Sequence, residues 1–217
     1  MTPGDATMRA AADYERGTID VAHLIDAADA ETTGVVGGRL ADGSLDDHAR
    51  DHASSVFART VLLIERGWPA TGDLAEMTAI HRGLFEGVFS DAGRLRTSNT
   101  TREVTSDRAI AKNPDTFFPA ALIETGALNI ATELADKRNL HAMDRDVFVH
   151  ELARIYDELG YLHPFKGGNA MILRIFASRI AHDAGWDLDW GTVSREGYKA
   201  AKHAAYRGDT AGFESLF

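Results

Sequence analysis

The stretch that decides the fold is LHPFKGGNAMILRIF, residues 162–176, where a loop with two adjacent glycines leads into an apolar helix. Pro164 disfavours helical backbone at the residue before it, and Gly167 and Gly168 give the chain a freedom that other residues lack. Asn169 then predicts a helix N-cap. Beyond it, apolar residues recur at the three- and four-residue spacing of a buried helical face, namely Ile172, Ile175, Phe176 and Ile180.

The start of this helix is a candidate site for a phosphate group. A helix N-terminus carries unpaired N–H groups and a partial positive charge, and glycines before it let an anion approach closely. His163 lies at the mouth of the loop, and Arg174 lies one turn into the helix, where a guanidinium reaches the far end of a polyphosphate. The structural alternative is a generic glycine loop with a hydrogen-bonded histidine and an exposed arginine. The combination of a base, an anion cradle and a second cation favours the site.

The composition limits the classes of ligand and compartment. The chain has 217 residues, is 44% hydrophobic and has a net charge of -10, so it is large enough for one sizeable domain and lacks the excess of basic residues that nucleic-acid binding needs. It has no cysteine, which excludes thiol nucleophiles and cysteine-ligated zinc within this sequence. It shows no signal peptide and no long apolar run, so we expect a cytoplasmic protein that binds neither nucleic acid nor a membrane.

The hydrophobic periodicity predicts an all-α domain with one small β-hairpin. Residues 1–45 are polar and small and form a poorly specified lead, whereas 46–217 form the domain. The segment GRLRTSNTTREV, residues 93–104, has the alternation and β-branched content of a short strand or hairpin. Helices are predicted from Asp47 to Arg66, after Asp73 with Glu76 completing a capping box, after Pro119, over 143–160, from Asn169 to a stop at Gly185, and from about Ser194 to Arg207.

Other catalytic motifs are absent from the sequence. No G-x-x-x-x-G-K-[ST] loop occurs, and the cluster GVVGG at 34–38 lacks both the lysine and a preceding strand. The run HELAR has no second histidine four residues after His150, so His150 is predicted to be an ordinary helix residue and not a zinc ligand. The segment 162–176 is therefore the only one with a specific chemical arrangement.

This segment resembles the signature of the Fic family, HPFx[DE]GNGRxxR, and two further blocks extend the resemblance over roughly residues 45–217. IHRGLFEGVFSDAGRLRTSN, at 80–99, is similar to the segment that leads into the family's β-hairpin flap. AGWDLDW and AAYRGD, between 184 and 209, are similar to the C-terminal part of Fic toxins that have a separate small antitoxin. The resemblance implies a helical bundle with a flap, and transfer of AMP from ATP to a Ser, Thr or Tyr hydroxyl of a target protein.

The resemblance also assigns roles to residues. His163 matches the general base that takes the proton from the attacking hydroxyl, and Phe165 matches the aromatic residue that anchors the loop. Gly168 and Asn169 match the pair that holds phosphate oxygens through backbone amides and the asparagine side chain. Arg174 matches the arginine that binds the γ-phosphate. The flap is expected to dock the target by main-chain pairing, with Leu95, Arg96 and Thr97 as its docking residues.

Three positions depart from the family pattern. Gly167 stands where the family has the acidic residue that holds Mg²⁺, Ala170 replaces a glycine of the loop, and Met171 replaces the first arginine. A magnesium ligand and a cation are thus both missing, so no metal ligand is predicted in the motif and a role for Mg²⁺ is in question. Lys166 is a candidate to replace part of the lost positive charge, but an ammonium group cannot ligate a metal.

Two functions are compatible with these residues. The first is a Fic-type adenylyltransferase, impaired or using an altered donor, which His163 and Asn169 favour because a chain without catalysis has no chemical reason to keep them. The second is a Fic-fold protein that binds a nucleotide or a partner chain as a regulator without turnover, which Gly167 and Met171 favour. The family's inhibitory motif, [ST]xxxE[GN], has no match in residues 1–60, which implies an inhibitor supplied in trans, as a small antitoxin.

Overall fold

The computed structural model of the chain describes residues 2–32, 52–101 and 116–217. Within these ranges the α-helices are α1 Asp5–Glu15, α2 Val21–Thr32, α3 Ala53–Arg66, α4 Leu74–Phe85, α5 Ile123–Asp136, α6 Arg145–Leu162, α7 Asn169–Asp183, α8 Arg195–Ala205 and α9 Ala211–Glu214. Short 3-10 helices lie at Ala120–Leu122, Arg138–Leu140 and Trp190–Thr192. The all-α prediction is confirmed for the described residues, which contain no β-strand. None of the described helices combines the length and the apolar character needed to cross a bilayer.

The predicted hairpin is represented by a single antiparallel β-bridge between Thr101 and Thr116. Next to this bridge the Phe117 N–H donates to the Thr100 carbonyl at 3.0 Å. Residues 102–115, which include the end of the predicted strand, lie outside the described residues. The hairpin therefore stays a prediction.

The described chain forms two compact units. The first comprises Met1–Pro69 with Thr78–Arg94, and the second comprises Ala70–Met77 with Leu95–Phe217. The predicted boundary between a lead and a domain, at residues 45 and 46, falls outside the described residues and stays a prediction.

The first unit contains two helices, α1 and α2, in the part of the chain that was expected to be poorly specified. Arg59 of α3 donates to both carboxylate oxygens of Asp29 on α2, at 2.7 and 3.0 Å, and so joins these two helices. Alanine gives little hydrophobic contrast, so the apolar stripe of α1 and α2 is too weak to predict them. The buried residues that α1, α2 and α3 share are Ala10, Leu24, Ala28 and Ala58.

The N-terminus of α1 is capped by a residue from another helix. Gly4 occupies the N-cap position and has no side chain that could accept a hydrogen bond. The Glu31 carboxylate of α2 instead accepts from the Thr7 hydroxyl at 2.5 Å and from the Ala6 N–H at 2.8 Å. A third hydrogen bond comes from the Ser54 hydroxyl at 2.9 Å. These donors, with the Thr7 hydroxyl contributing most, lower the pKa of Glu31 to about 2.

The second unit contains α5 to α9 and the first turn of α4. A buried ion pair joins that first turn to α7, because Arg179 Nε and Nη2 donate to the two carboxylate oxygens of Glu76 at 2.8 and 2.5 Å. Asp73 caps α4 as predicted, accepting from the N–H of Ala75 at 2.9 Å. The predicted capping box is incomplete, since the Glu76 carboxylate binds Arg179 and the Gly72 N–H at 2.7 Å. Apolar side chains of α6 and α7 form the core, including Phe148, Leu152, Ile155, Ile172, Phe176 and Ile180.

The stability of the first unit is expected to depend on pH through Glu31. The pKa falls from its ordinary value of 4.5 to about 2 on folding, so this stabilisation is complete above 4.5 and is lost as the pH falls towards 2. Thermal unfolding of the wild type and of Glu31→Gln, followed from about pH 7 to about pH 3, checks this. The wild type should lose melting temperature more steeply than the variant in the acidic range. Parallel curves for the two proteins would contradict the assignment.

Candidate active site

The loop predicted from the sequence HPFKGG joins the C-terminus of α6 to the N-terminus of α7. His163 caps the end of α6 with a left-handed backbone, φ 45° and ψ 62°. Gly168 is the N-cap residue of α7 and is also left-handed, with φ 73°. Asn169 is therefore the first helical residue, and its prediction as the N-cap is wrong by one position. The reason is that a left-handed turn is needed here, which favours glycine.

The side chain of Asn169 closes the loop on itself. Its Oδ1 accepts from the Phe165 N–H at 3.1 Å, and its Nδ2 donates to the Phe165 carbonyl at 2.8 Å. Phe165 is fully buried and Asn169 nearly so, so these hydrogen bonds are shielded from water. The prediction that Phe165 anchors the loop in the core is confirmed. The Asn169 side chain holds the loop through these two contacts, and its role towards phosphate stays a prediction.

The first turn of α7 still presents free backbone donors. The N–H groups of Met171 and Ile172 both donate to the Gly168 carbonyl, at 3.0 and 3.2 Å. The N–H groups of Asn169 and Ala170 precede them and have no carbonyl one turn back within the helix. The cradle predicted for an anion is thus made of backbone amides at the mouth of the loop.

A buried guanidinium holds the end of α6. Arg96 is only 2% exposed. Its Nε donates to the His163 carbonyl at 2.7 Å, and its Nη2 donates to the Leu162 carbonyl at 3.3 Å and to the Phe118 carbonyl. Its Nη1 donates to the Ser98 carbonyl at 2.9 Å. Burial lowers the pKa of Arg96, and the partial negative charge of carbonyls at a helix C-terminus offsets part of this penalty.

Docking at Arg96 stays a prediction that concerns its main chain, because the Arg96 side chain is buried. Its N–H also donates to the Pro164 carbonyl at 2.9 Å, so its backbone supports the same loop. Leu95 is half-buried and Thr97 is exposed, and both lie in irregular chain. Docking of a target at Leu95 and Thr97 stays a prediction.

The His163 imidazole is oriented by stacking. Its ring lies on the Phe117 ring, with centroids 3.7 Å apart and an interplanar angle of 16°. Its backbone is held at both ends, since its N–H donates to the Leu159 carbonyl at 3.2 Å and its carbonyl accepts from Arg96. The predicted base is therefore fixed before any ligand is present.

A cavity of about 120 Å³ opens beside His163 and the first turn of α7. Asn169 and Ala170 line it, as predicted for the phosphate site, together with residues of α6, α8 and α9. The lining in the described part of the chain includes one carboxylate, Asp157, which is 8% exposed, one imidazole, His163, and one amine, Lys202. The aromatic walls are Phe117, Tyr156, Tyr198, Tyr206 and Phe213. A ring-shaped ligand group and an anion both find suitable surroundings here.

Arg174 lies against aromatic rings outside the lining of this cavity. Its guanidinium carbon is 4.6 Å from the centre of the Tyr198 ring and 5.6 Å from that of Trp190. The hydroxyls of Tyr156 and Tyr198 lie 2.8 Å from each other and share a hydrogen bond. Burial raises the pKa of Tyr198, and that of Tyr156 well above its ordinary range. In this structure Arg174 fastens α8 and the Trp190 turn to α7.

The loop offers no metal site. Lys166 is exposed and does not line the cavity, and Gly167 is buried with no side chain to contribute. Among the described residues no three His, Asp or Glu side chains come together in a group that could hold a metal ion. Asp157 is the one carboxylate in the described lining of the cavity. The residues present do not fit a protein-bound Mg²⁺.

The contribution of α8 to the cavity was missed. The helix itself was predicted from about Ser194 to Arg207 and is observed with Ser194 as its N-cap, accepting from the Gly197 N–H at 3.0 Å. Tyr198, Lys202 and Tyr206 recur every four residues, which puts them on one helical face. That spacing was the available signal, and nothing in the sequence indicates that this face turns towards His163.

Comparisons with known proteins agree on one family. The sequence model of the Fic/DOC family matches residues 71–181. A Salmonella typhimurium protein named "Probable protein adenylyltransferase Fic" is 30% identical over 168 residues, 76% of this chain and 78% of that protein. The protein adenylyltransferase VbhT of Bartonella schoenbuchensis is 32% identical over 138 residues, 64% of this chain and 27% of that protein.

The fold has solved counterparts. The N-terminal Fic domain of a VirB-translocated Bep effector protein from Bartonella quintana, solved with bound ADP, is similar with a TM-score of 0.68. The match covers 79% of this chain and 83% of that one, at 22% sequence identity. At this identity the likeness establishes the helical fold.

Replacing Arg96 is expected to destabilise the second unit severely. Arg96→Met removes the buried donor of four carbonyls, three of them in partly or fully buried residues, and each unsatisfied buried group costs about 1–3 kcal/mol, so a loss of at least about 3 kcal/mol is expected. Urea unfolding measures it, with the exposed Arg94→Met as the matched control expected within about 0.5 kcal/mol of wild type. Arg96→Lys keeps the charge but not the fork of donors and should fall between them. Equal midpoints for Arg96→Met and Arg94→Met would contradict the role.

Proposed function

Because the chain belongs to the Fic/DOC family, we propose that it is a Fic-type protein adenylyltransferase that transfers AMP from ATP to a hydroxyl of a target protein. The observation that carries this proposal is the position of His163. Its oriented imidazole lines the same cavity as the first-turn residues Asn169 and Ala170. A base and an anion-binding helix N-terminus within one cavity are what a hydroxyl attack on a phosphate group needs.

The reaction follows from this arrangement. The target hydroxyl oxygen attacks the α-phosphorus and forms the new phosphate ester bond. The bond from the α-phosphorus to the bridging oxygen breaks, and pyrophosphate leaves with that oxygen. His163 takes the hydroxyl proton, a task that suits a group with an ordinary pKa near neutrality.

The phosphates are bound, in this proposal, mainly by backbone. The N–H groups of Gly168, Asn169 and Ala170 face the anion, and the Asn169 side chain keeps the loop in shape. Arg174 is assigned to bind the γ-phosphate. Its guanidinium would do so either while stacked on Tyr198 or after moving away from that ring. Lys166, exposed on the loop, is assigned a supporting role in binding the phosphates.

A second candidate function is nucleotide or protein binding without turnover. The observations that favour it are the absence of an acidic side chain at Gly167, the loss of the cation at Met171 and the engagement of Arg174 with aromatic rings. Each removes or diverts a group that stabilises charge as pyrophosphate leaves. Such a protein would hold ATP and release it unchanged.

The partners belong to the same proposal. The target is a protein with an accessible Ser, Thr or Tyr hydroxyl, docked beside Leu95 and Thr97, and the compartment is the cytoplasm. The inhibitor is a separate small antitoxin. The pattern [ST]xxxE[GN] occurs once in the whole chain, at 192–197. There Thr192 ends the short 3-10 helix and its hydroxyl donates to the Asp189 carbonyl at 3.1 Å, while Glu196 is an acidic residue in the first turn of α8, where it is favoured by the helix dipole.

ATP carrying label on either the α- or the γ-phosphate separates the two functions. Incubated with a cell lysate, the wild type is expected to transfer the α-label to protein and not the γ-label. His163→Ala should lower this transfer by at least about a hundredfold, as loss of a general base does. His150→Ala is the matched control, because His150 is an exposed histidine on α6 paired with Glu214.

The possible outcomes are distinct. ATP binding without transfer by the wild type would favour the second function. Transfer of another nucleotide's label that needs His163 would keep the reaction class and change the donor. Neither binding nor transfer of any nucleotide would contradict the enzyme and the nucleotide-binding protein, and would leave protein binding without turnover.

Restoring the two missing groups together is expected to raise AMP transfer. Gly167→Glu supplies a carboxylate and Met171→Arg a cation, and both stabilise charge that develops on the leaving group. With ATP and Mg²⁺ the double variant should gain at least about tenfold, corresponding to about 1.4 kcal/mol of barrier, and more than either single change. Transfer rates measured for the four proteins check this. A double variant that binds ATP but gains nothing would identify Gly167 and Met171 as determinants of a different donor.

A further inference from the structure

No lysine or arginine of the loop or of α7 lines the cavity. Ala170 is exposed and lines the cavity, and Met171 stands where the resemblance expects an arginine. Lys166 lies on the surface of the loop, outside the cavity lining. Arg174 is held by Tyr198 and Trp190. The motif itself therefore brings no cation into the cavity among its described residues.

A cation reaches the cavity from α8 instead. Lys202 lines it together with His163, Asn169 and Ala170, and it is the only lysine or arginine in the described lining. The side chain is half-buried, and its Nζ lies 5.9 Å from the centre of the Tyr206 ring. A charge in such a partly desolvated site interacts more strongly with an anion than one in water.

We propose that Lys202 binds the phosphates of the nucleotide and replaces the cation missing at Met171. This inference rests on the proposed nucleotide site and names the residue that gives that site its positive charge. An ammonium group on a flexible four-carbon stem adapts to a phosphate oxygen without the fixed geometry that a guanidinium demands. The Asp157 carboxylate lines the same cavity.

Arg174 has an indirect part in this arrangement. Its stacking on Tyr198 fixes the helix that carries Lys202, and Tyr198 lies one turn before Lys202 on the same face. Arg174 is thus a positioning residue for the Lys202 ammonium.

Calorimetric titration with adenosine, AMP, ADP and ATP tests the proposal. Lys202→Met should weaken binding of ADP and ATP by about ten- to a hundredfold, the usual effect of losing a charged hydrogen bond. Adenosine, which has no phosphate, should bind equally well to both proteins. Lys202→Arg should keep most of the affinity. The matched control is Lys199→Met, an exposed lysine on α8 that does not line the cavity, and it should bind all four ligands like the wild type.

A rescue experiment separates charge from structure. Adding Met171→Arg to Lys202→Met should restore at least half of the lost ATP affinity on a logarithmic scale, because the cation returns from the other side of the cavity. Equal ATP affinity for Lys202→Met and Lys199→Met, or an equal loss for adenosine and ATP, would overturn the role of Lys202 while leaving the nucleotide site intact. A wild type that binds none of the four ligands would overturn the nucleotide site itself.

Discussion

The buried guanidinium of Arg96 is the contact on which the geometry of the candidate active site depends. It satisfies four carbonyls that come from three separate parts of the chain: Ser98, Phe118 and the end of α6 at Leu162 and His163. The last carbonyls of a helix have no partner within the helix, and burying them without a donor is costly. One fork of five N–H donors solves this problem and, by doing so, fixes the residue that carries the imidazole.

The polar groups around the loop divide into those that hold it and those that remain for a ligand. Arg96 and the Asn169 side chain are used within the protein, so the loop is formed before a nucleotide arrives. Preorganised groups of this kind bind a ligand without the free-energy cost of rearranging. The amides of the first turn of α7 are left for the anion. In this proposal the motif fixes the geometry of the phosphate site, and Lys202 of α8 adds positive charge to it.

The sequence predicts well where the hydrophobic contrast is strong. The stripes of α3 to α7 have large apolar residues at helical spacing, and each of these helices is observed, although α3 begins later than Asp47 among the described residues. The alanine-rich α1 and α2 lack that contrast and were missed. The motif placed His163, Asn169 and Ala170 in one site, because a loop and the helix it precedes are neighbours in space as in sequence.

Long-range polar contacts are what the sequence could not provide. In the sequence, Arg96 has the pattern of a surface residue on an alternating strand. Its acceptors are main-chain carbonyls, which every residue has, so the sequence does not identify them. Arg174 was assigned to a phosphate because Tyr198 and Trp190, its aromatic partners, are distant in sequence and belong to elements without a recognisable motif. The same holds for Lys202, whose position relative to His163 depends on how α8 packs.

The position of α8 has a consequence for how much of the chain is needed to make a working pocket. The segment that matches the family ends at residue 181, whereas Tyr198, Lys202, Tyr206 and Phe213 of the cavity wall follow it. A fragment that ends at residue 181 would keep the signature and His163. In it, the buried side of α7 would be exposed, and Arg174 would lose its stacking partners Tyr198 and Trp190. The shortest piece expected to hold a nucleotide is therefore longer than the piece that identifies the family. Members with the same signature are free to differ in the pocket by changing a helix that the signature does not contain.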